Sequence, residues 1–522
     1  MTTQSVSRDP RADIAHLPAA LLDILGPVPA AAGRLRTAEL SVEHRMLIDG
    51  ELVSTAGRFA NIDPTVGSPA GEVCDGTPAE LDRAVGAAHR AFLDSPWRTD
   101  PELRARCLRQ LQEGLRRHAE ELRLAVITEL GAPLRLTASV HVDEVIGKLG
   151  YLAGAALNAT VSSALPDARA GGHNDRRLQR VPVGVVAAIT PWNIPLDIPL
   201  AKVGGALAAG NTVVLKPAPD TPLAINLVGR VIAEETDIPA GVVNIVASSD
   251  HSLGKLLVDD PRVDFVSFTG STATGKRVMA GAADTLKRVH LELGGKSPNV
   301  VLDDVDLERI VPLAAAAACF NAGQSCILPS RLLVPAHSYD DCVELAAAGM
   351  AAVSVGDPYS PDTFMGPLVS SSHRERVHAM VADGLAQGGR LVCGGQPIDG
   401  PGFFYPPTLI ADVERSHPLV QQELFGPVLV VQPYQDEQDA VAAANGTAFG
   451  LAGYVWSADR ERGERIAAGI DAGMVAINGG SITEADMPFG GVKQSGFGRE
   501  WGLAGVEEFT EIKTVSRGTS IG

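Results

Sequence analysis

One cysteine in this chain has neighbours that favour chemistry over packing. Cys326 ends the stretch FNAGQSC, in which small and polar residues follow an alanine-rich helical segment. A lone cysteine is most often a small buried hydrophobe. A thiol on a tight polar turn is instead open to reactants, and its backbone N–H can point at a bound carbonyl oxygen. We therefore interpret Cys326 as a candidate nucleophile and the other five cysteines as structural residues.

Three further polar residues stand where a base, an oxyanion donor and a cation would be useful. Glu292, in LELGGKSP, is either an outward-facing strand residue or a partly desolvated base with a raised pKa, and the glycines after it permit close approach of backbone or ligand. Asn193, in TPWNIP, either donates its amide to an oxyanion or caps a helix. Lys216, in VVLKPAP, either reaches a nucleotide's ribose or phosphate or is an ordinary lysine at a strand end.

A glycine loop resembles a phosphate-binding sequence. Gly270–Lys276 reads G-x-x-x-x-G-K, the loop of nucleoside triphosphatases, but Arg277 follows where such a loop needs Ser or Thr to hold magnesium. A strand precedes the loop and a helix follows it, so free N–H groups at the helix start can still receive a phosphate. The residues alone leave open a triphosphate, a dinucleotide or no ligand.

Short β-branched runs position these residues. GVVAAIT, TVVLKP, VVNIV and VDFVSFTG alternate with segments of helix length, which predicts a parallel sheet with covering helices and a ligand site at the carboxyl ends of the strands. RMLIDGELV predicts a hairpin that turns at Asp49 and Gly50.

Other segments outline the rest of the chain. Residues 1 to about 45 are rich in Pro and Ala and weakly periodic, so we expect an extension that is disordered or drapes over a neighbour. After about Leu293 helices and short strands alternate again, which predicts a second α/β domain. Apolar periodicity and stop residues predict helices at Pro78–Leu93, Pro101–Leu130 (ending at Gly131), Leu307–Cys319, Tyr339–Val353 and Ser371–Gln387.

Bulk composition excludes several classes of protein. The 522 residues favour two or three domains, and 45% apolar with 20% charged residues is typical of a globular enzyme. A formal charge of −18 disfavours nucleic-acid binding. The six cysteines form no C-x-x-C pair and no zinc spacing, so we expect reduced thiols and no metal. We find neither an export signal nor about 18 consecutive apolar residues, so we expect no membrane contact and a cytoplasmic location.

Seven ordered motifs point to one family. The motifs PWN, LKPAPDTP, FTGSTATG, LELGGKSP, FNAGQSC, ELFGPV and PFGGVKQSGFGRE resemble the aldehyde dehydrogenase superfamily from about Arg45 to Ser516, and the spacings fit as well. The resemblance implies an α/β, aldehyde dehydrogenase-like fold: a Rossmann-like parallel-sheet cofactor domain, an α/β catalytic domain and a small oligomerisation arm. The expected division is an extension (1–44), a dinucleotide-binding domain (45–164 and 183–293), a catalytic domain (294–495) and the arm (165–182 and 508–522).

The resemblance also implies a mechanism. Cys326 would attack an aldehyde, and the Asn193 side chain and the Cys326 N–H would hold the oxyanion. After hydride transfer, Glu292 would activate the water that hydrolyses the thioester, with Lys202 and Glu500 completing a proton path. Relatives that pass the acyl group to coenzyme A lack a glutamate at this position, so Glu292 favours the hydrolytic branch.

The same resemblance implies that the glycine loop is a dinucleotide site. No acidic magnesium ligand stands out in the sequence to support a triphosphatase.

We expect NAD as cofactor, with NADP also accepted. Many NAD-using members carry a glutamate where this chain has Pro219, and a carboxylate there would repel the 2′-phosphate of NADP. Asp220 would partly restore that repulsion. The expected cofactor-binding residues are Thr190, Pro191, Trp192, Lys216, Pro219, Gly270, Ser271, Gly275, Leu293, Gly294, Glu423 and Phe425.

The substrate is less defined. The segment GGSITEADMP before Phe489 carries no arginine, which disfavours a dicarboxylic semialdehyde, and no aromatic box for a quaternary ammonium is evident, although Asp197 can meet a cation. We expect a neutral aliphatic, terpenoid or aromatic aldehyde. The resemblance implies a homodimer or homotetramer, and RRLQRVPV suits an edge strand that seeks a partner. A thiol esterase and a catalytically silent binding protein are the alternatives.

Overall fold

The structure is a computed structural model that describes residues 17–30, 32–35, 40, 42–159, 162–165 and 174–518. Its strands are β1 (Met46–Ile48), β2 (Glu51–Val53), β3 (Arg58–Asp63), β4 (Ser68–Cys74), β5 (Ser162–Ala164), β6 (Asn174–Pro182), β7 (Val185–Ile189), β8 (Thr212–Lys216), β9 (Val243–Ile245), β10 (Phe265–Thr269), β11 (Arg288–Glu292), β12 (Pro298–Val301), β13 (Arg331–Pro335), β14 (Arg390–Cys393), β15 (Thr408–Ala411), β16 (Val428–Tyr434), β17 (Phe449–Gly450), β18 (Ala452–Trp456), β19 (Met474–Ile477), β20 (Val492–Lys493), β21 (Gly496–Phe497) and β22 (Thr510–Gly518).

The helices cover both main sheets. They are α1 (Leu17–Ile24), α2 (Ala32–Leu35), α3 (Pro78–Asp94), α4 (Pro101–Arg117), α5 (Ala119–Leu130), α6 (Asp143–Ala156), α7 (Asp197–Ala209), α8 (Leu223–Glu235), α9 (Ser252–Asp259), α10 (Thr272–Ala282), α11 (Leu307–Ala316), α12 (Tyr339–Ala351), α13 (Ser371–Ala386), α14 (Pro418–Gln421), α15 (Glu437–Asn445), α16 (Arg460–Gly469) and α17 (Gly502–Glu507). Short 3₁₀ segments occur at Pro96–Arg98, Leu134–Thr137, Ala283–Thr285, Ala317–Gly323 and Ala336–Ser338.

The first lobe is built on the sheet with strand order β2-β1-β9-β8-β7-β10-β11-β21. Strands β7 to β10 pair in parallel, as the β-branched runs predicted, and β11 pairs in parallel with β10. The predicted hairpin is confirmed: β1 and β2 pair antiparallel across Asp49 and Gly50, which both have positive φ. Parallel strands direct their carboxyl ends to one edge, so the residues that follow β7, β8, β10 and β11 share a site.

The second lobe is a second α/β layer, as predicted. Its sheet has the order β14-β15-β16-β13-β12-β18-β19, and each of these pairings is parallel except that of β14 with β15. The helix predicted to reach Cys319 ends at Ala316, because the chain tightens into a 3₁₀ segment that carries it towards Cys326. The wider domain boundaries stay a prediction, although β21 returns from beyond residue 495 to join the sheet of the first lobe.

The long helix predicted at Pro101–Leu130 is wrong as a single element. It breaks at His118, which has φ −101° and ψ 14°, between α4 and α5. The His118 ring lies 2.6 Å from the Glu235 carboxylate and 3.2 Å from that of Glu121. These contacts stabilise the break, and the periodicity of the flanking apolar residues could not reveal them. The stop at Gly131 is confirmed, with φ 73°.

Part of the N-terminal extension packs onto its own chain. Leu17 and Leu21 of α1, and Leu25 directly after it, repeat every four residues and are buried. The helix packs against α11 of the second lobe. Arg135 donates to the Gly26 carbonyl at 3.0 Å and so fastens the end of the segment. The expectation that the extension is disordered or drapes over a neighbour is therefore wrong for this segment. Residues 1–16 lie outside the described residues.

A third sheet has the order β22-β6-β5, with antiparallel pairing. The run RRLQRVPV, expected as an edge strand, belongs to β6 and is the central strand, because β22 returns from the C-terminal region to cover one side of it. Most of β22 is exposed on both faces, and Ile512 is 59% exposed. Residues 166–173 and 519–522 of the expected arm lie outside the described residues.

Candidate active site

A cavity of about 740 Å³ opens at the carboxyl ends of β7, β8 and β10. Seven of the predicted cofactor residues line it: Thr190, Pro191, Trp192, Lys216, Pro219, Gly270 and Ser271. The lining also includes three polar residues that the sequence prediction did not name, His251, Lys255 and Arg277. Because α9 and α10 form the walls, the cavity has the helix-and-strand-end architecture of a nucleotide site.

Two threonines give this cavity unmet hydrogen-bonding capacity. The hydroxyls of Thr190 and Thr269 are buried and find no hydrogen-bond partner among the described residues. Both residues line the cavity. A buried hydroxyl without a partner is costly unless a ligand or water completes it, so this lining fits a polar molecule such as a dinucleotide.

The glycine loop has the geometry of a helix start and lacks that of a triphosphatase loop. Ser271 caps α10 by accepting the N–H of Thr274 at 3.3 Å. Lys276, which would contact the phosphates in a triphosphatase, donates to the Gln494 side chain at 3.0 Å. It is Arg277, the residue out of place in that motif, that lines the cavity.

The other predicted cofactor residues lie beside this cavity. Gly275 packs against Leu293, so the first turn of α10 approaches the end of β11 closely. Glu423 is close to Gly294 and accepts the N–H of Gly295 at 2.8 Å. Burial raises the pKa of Glu423 to about 7, although the Gly295 bond and nearby Lys296 oppose this.

Phe425 joins an aromatic contact across the two lobes. Its ring meets that of Trp192 edge-on, with centroids 5.4 Å apart. His373, which the sequence reasoning missed, lies against the same Trp192 ring and 2.7 Å from the Phe425 carbonyl through Nε2. Phe425 has φ 62°, which is strained for an aromatic residue, and these contacts hold it in place.

The candidate nucleophile follows an unusual stretch of backbone. Asn321, Ala322 and Gly323 all have positive φ, at 49°, 56° and 73°. At Gly323 a Cβ atom would lie 2.0 Å from the Gly426 carbonyl carbon, so only glycine fits. Consecutive left-handed residues cost free energy and persist where surrounding contacts enforce them, which is typical of functional loops.

Asn193 fastens this loop from the first lobe. Its side chain is 3% exposed, and Nδ2 donates to the Gln324 carbonyl at 3.1 Å. In return the Asn321 side chain donates to the Asn193 carbonyl at 3.0 Å. The helix-cap alternative for Asn193 is wrong, because α7 begins at Asp197 and has Leu196 at its N-cap.

Cys326 lies partly buried against apolar side chains. It packs against a buried cluster of Leu451, Ala452 and Met474, which Ile327, Tyr454, Ile482 and Phe489 also contact. Burial raises the pKa of the Cys326 thiol, and the nearby carboxyls of Glu423 and Glu292 raise it further. The thiol therefore keeps its proton in these surroundings, and its attack requires a base.

Glu292 is a buried carboxyl, and the outward-facing alternative is wrong. It ends β11 with 2% of its surface exposed. Oε1 lies 3.1 Å from His290 Nε2, whereas Oε2 has no partner within the described part of the chain. Burial first, and the charge of Glu500 second, raise the pKa of Glu292 well above its ordinary value. A raised pKa and a free oxygen are the properties that a general base needs.

Lys202 and Glu500 form a buried ion pair behind Glu292. Lys202 Nζ donates to Glu500 Oε1 at 2.5 Å and to Ser267 Oγ at 3.0 Å. The sequence reasoning named this pair but missed Ser267 and His290. His290 stands two residues before Glu292 on one strand, so the two side chains share a face, and that spacing was the available signal.

The described residues were also searched for other kinds of site. No three His, Cys, Asp or Glu side chains among them converge as a metal site requires. Within the same residues, no helix combines the length and apolar character needed to cross a bilayer.

Comparisons with known proteins agree with this geometry. The profile of the aldehyde dehydrogenase family matches residues 52–515. The chain is 41% identical to 3-succinoylsemialdehyde-pyridine dehydrogenase of a Pseudomonas species, over 90% of this chain and 97% of the relative. It is 38% identical to phenylacetaldehyde dehydrogenase of Pseudomonas fluorescens, over 91% and 96% of the two chains. A Cys-to-Ala variant of aldehyde dehydrogenase C from Pseudomonas syringae, solved with NAD+ and octanal, superposes with a TM-score of 0.85 at 37% identity, covering 91% of this chain and 96% of that one.

A parallel-sheet lobe with a large cavity at its strand ends, next to a lobe that carries a partly exposed thiol, is the architecture expected of a dinucleotide-dependent oxidoreductase. The chain belongs to the aldehyde dehydrogenase family. It is an NAD(P)-dependent enzyme that oxidises aldehydes, and the expected fold class is confirmed.

Proposed function

We propose that Cys326, Asn193 and Glu292 carry out a hydrolytic aldehyde oxidation in the cleft between the two lobes. The observation that carries the proposal is the bond from Asn193 in the first lobe to the Gln324 carbonyl, two residues before the thiol. It brings an amide donor beside the cysteine, while the Glu292 carboxyl is close enough to raise the thiol's pKa.

The steps follow from these groups. Cys326 loses its proton to Glu292, directly or through water, and its sulfur adds to the aldehyde carbon to give a thiohemiacetal. The amide of Asn193 and the N–H of Cys326 donate to the oxyanion. After the thiol proton has left Glu292 for the solvent, the regenerated carboxylate takes a proton from water. The oxygen of that water displaces the Cys326 thiolate from the thioester and releases the carboxylic acid.

The cavity at the ends of β7, β8 and β10 fits the dinucleotide. Thr190, Lys216, Pro219 and Ser271 would hold its adenosine and phosphate groups, and Glu423 and Phe425 its nicotinamide end. When bound, NAD+ supplies the hydride acceptor that turns the thiohemiacetal into the thioester. We propose NAD with acceptance of NADP, because the lining near Pro219 includes Lys216 and His251 beside Asp220.

We propose a neutral aliphatic, terpenoid or aromatic aldehyde as substrate. The apolar cluster around Cys326 supports it, as do the relatives named for phenylacetaldehyde and solved with octanal. Asp197, which could have met a cationic substrate, is paired with Lys148 at 2.9 Å. The relative named for a pyridine semialdehyde supports a bulkier aromatic substrate.

We also propose a homodimer or homotetramer that forms through the sheet of β22, β6 and β5. Most of β22 is exposed on both faces, so this strand can pair with or pack against a second chain. Light scattering during gel filtration measures the assembly, and a monomer at micromolar concentration would contradict the proposed oligomer.

We propose a cytoplasmic location. The six cysteines are free thiols, which supports a reducing compartment.

A panel of aldehydes tests the function. Octanal, phenylacetaldehyde, citral and betaine aldehyde are each incubated with NAD+ or NADP+, and cofactor reduction is followed by absorbance. We expect the wild-type protein to reduce the cofactor with the neutral aldehydes. Cys326→Ala should lose that activity and still bind the cofactor. Ester cleavage without cofactor reduction would favour the esterase, and inertness towards every aldehyde would favour a silent binding protein.

A further inference from the structure

The first lobe contacts the nucleophile loop (residues 321–326) at a second point, through His141. This residue precedes α6, which packs against α4 and α7 of the first lobe, and its side chain is fully buried. The ring Nε2 lies 3.2 Å from Oδ1 of Asn321, where the left-handed backbone of the loop begins. The two residues are 180 positions apart in the chain, so no sequence spacing reveals this contact.

The partners of Asn321 fix the proton on the His141 ring. Asn321 Nδ2 donates to the Asn193 carbonyl at 3.0 Å and to the Gln324 carbonyl at 3.2 Å. Oδ1 of the same amide is therefore the acceptor, and His141 Nε2 must carry the hydrogen that it donates. Burial lowers the pKa of His141 to about 4, although the Asn321 bond opposes this, so the ring is neutral and Nδ1 carries no hydrogen.

The second ring nitrogen of His141 has no such contact. Nδ1 is buried and finds no hydrogen-bond partner among the described residues. A buried acceptor without a partner is costly, and an apolar side chain of similar size would avoid that cost. The group that a histidine offers here and a leucine does not is the Nε2–H that reaches Asn321.

We infer that His141 is a positioning residue that aligns the Asn193 amide with the reacting carbonyl group. The inference rests on the proposed function, in which Asn193 Nδ2 and the Cys326 N–H hold the oxyanion. His141 holds the Asn321 amide in one orientation. That amide in turn holds the carbonyls of Asn193 and Gln324. The Gln324 carbonyl also accepts Asn193 Nδ2 at 3.1 Å, so its place sets the direction of the donor.

Loss of the Nε2 hydrogen would act along this series of contacts. Oδ1 of Asn321 would lose its donor, and the left-handed backbone at this residue, with φ 49°, would lose one of the contacts that enforce it. A shift of the Asn321 amide would move the Gln324 carbonyl and with it the Asn193 donor. Small displacements of a group that stabilises a transition state lower the rate strongly.

Three substitutions separate the hydrogen bond from the volume of the ring. His141→Leu removes the Nε2 hydrogen and leaves an apolar side chain of similar size. His141→Gln restores an amide N–H at about the reach of the ring nitrogen. His337→Leu makes the same change at a histidine whose side chain is 67% exposed, and it is the matched control.

The test compares two reactions of Cys326. Acylation by p-nitrophenyl acetate forms an oxyanion and is followed by release of p-nitrophenolate in the first turnover. Alkylation by iodoacetamide displaces iodide without forming an oxyanion and is followed by the mass of the Cys326 peptide. Both reactions use the same thiolate, so a change in its ionisation cancels in the ratio of the two rate constants.

We expect the ratio of acylation to alkylation to fall about tenfold in His141→Leu, since a misaligned donor loses part of its effect on the oxyanion. His141→Gln should recover the ratio to within about twofold of wild type, and His337→Leu should equal wild type. Asn321→Gly removes the side chain through which His141 acts, and glycine tolerates the left-handed backbone. In that background His141→Leu should change the ratio by less than about twofold.

The outcomes separate the positioning role from the proposed function. If wild type oxidises no aldehyde of the panel, or if Asn193→Ala keeps the wild-type ratio, the proposed oxyanion site fails and the positioning role fails with it. If Asn193→Ala lowers the ratio and His141→Leu does not, the positioning role alone is wrong. If His141→Leu does not fold, His141→Met decides by the same criteria.

Two further results would overturn the inference. Equal slowing of acylation and alkylation in His141→Leu would assign His141 only to the stability of the loop. An undiminished effect of His141→Leu in the Asn321→Gly background would show that His141 does not act through Asn321.

Discussion

Asn193 Nδ2 lies 3.1 Å from the Gln324 carbonyl oxygen and uses one of its two hydrogens on that bond. In the proposed function the second hydrogen donates to an oxyanion at Cys326. Removing one donor of this kind typically lowers kcat by about 10²–10³-fold. We therefore expect Asn193→Ala to lose that much activity while its Kd for NAD+ stays within about threefold of wild type.

The control for this variant asks whether the loop has moved. Alkylation of Cys326 by iodoacetamide should proceed at the wild-type rate in Asn193→Ala if the loss arises from the missing donor. A loss of activity below threefold would show that the Asn193 amide does not serve the oxyanion.

Glu423, proposed to contact the cofactor, predicts a pH dependence of cofactor binding. Burial raises its pKa to about 7, so the carboxylate that would accept the ribose hydroxyls is protonated below that pH. We expect the Kd for NAD+, measured by calorimetry, to rise roughly tenfold as the pH falls from 8 to 6. Glu423→Gln should bind more weakly at pH 8 and show a flat profile. A flat wild-type profile would remove Glu423 from the binding site.

Pro219 tests the choice between the two cofactors. A carboxylate at this position of the cavity would repel the 2′-phosphate of NADP. We expect Pro219→Glu to raise the ratio of kcat/KM for NAD over NADP at least about tenfold, equivalent to about 1.4 kcal/mol. Pro219→Gln introduces a side chain with the shape of glutamate but no charge, and it should keep the wild-type ratio. Equal ratios in the two variants would place the ribose hydroxyls elsewhere.

Leu21 tests whether α1 stabilises the second lobe. The side chain is 1% exposed and belongs to the apolar core of that lobe. Truncation of a buried leucine costs about 2–5 kcal/mol, so Leu21→Ala should lower Tm by several degrees at a fixed scan rate. Ile24→Ala is the control, because Ile24 of the same helix is 55% exposed, and its Tm should match that of wild type. An unchanged Tm in Leu21→Ala would mean that α1 undocks in solution.

The sequence predicted the parts of the molecule that local pattern determines. Apolar runs predicted β7, β8, β9 and β10 and their parallel pairing, because alternation with helices leaves few other arrangements. Residue type and position at a strand end singled out Asn193 and Lys216. Apolar neighbours and the two following glycines singled out Glu292. The roles of the site residues stay predictions that the variants above test.

Features set by tertiary contact were missed or misjudged. The break at His118 depends on carboxylates from two helices, and the docking of α1 depends on a surface contributed by α11. His373 and Ser267 are far in sequence from the residues they contact, so no spacing identified them. His290 is the exception, since its position two residues before Glu292 was visible in the strand.

Trapping of the acyl-enzyme tests the central claim most directly. Glu292→Gln keeps the shape of the side chain but cannot activate the water that hydrolyses the thioester. A single turnover with octanal and NAD+, in which hydroxide from the solvent takes the thiol proton, should therefore leave an octanoyl group on the thiol. Peptide mapping after rapid quenching should find this mass on the Cys326 peptide in nearly every molecule. The peptide of Cys393, the other partly exposed cysteine, should carry none. Two outcomes would contradict covalent catalysis by Cys326 and Glu292. One is reduced cofactor that accumulates while Cys326 carries no acyl group. The other is a steady-state rate of cofactor reduction in Glu292→Gln that equals the wild-type rate.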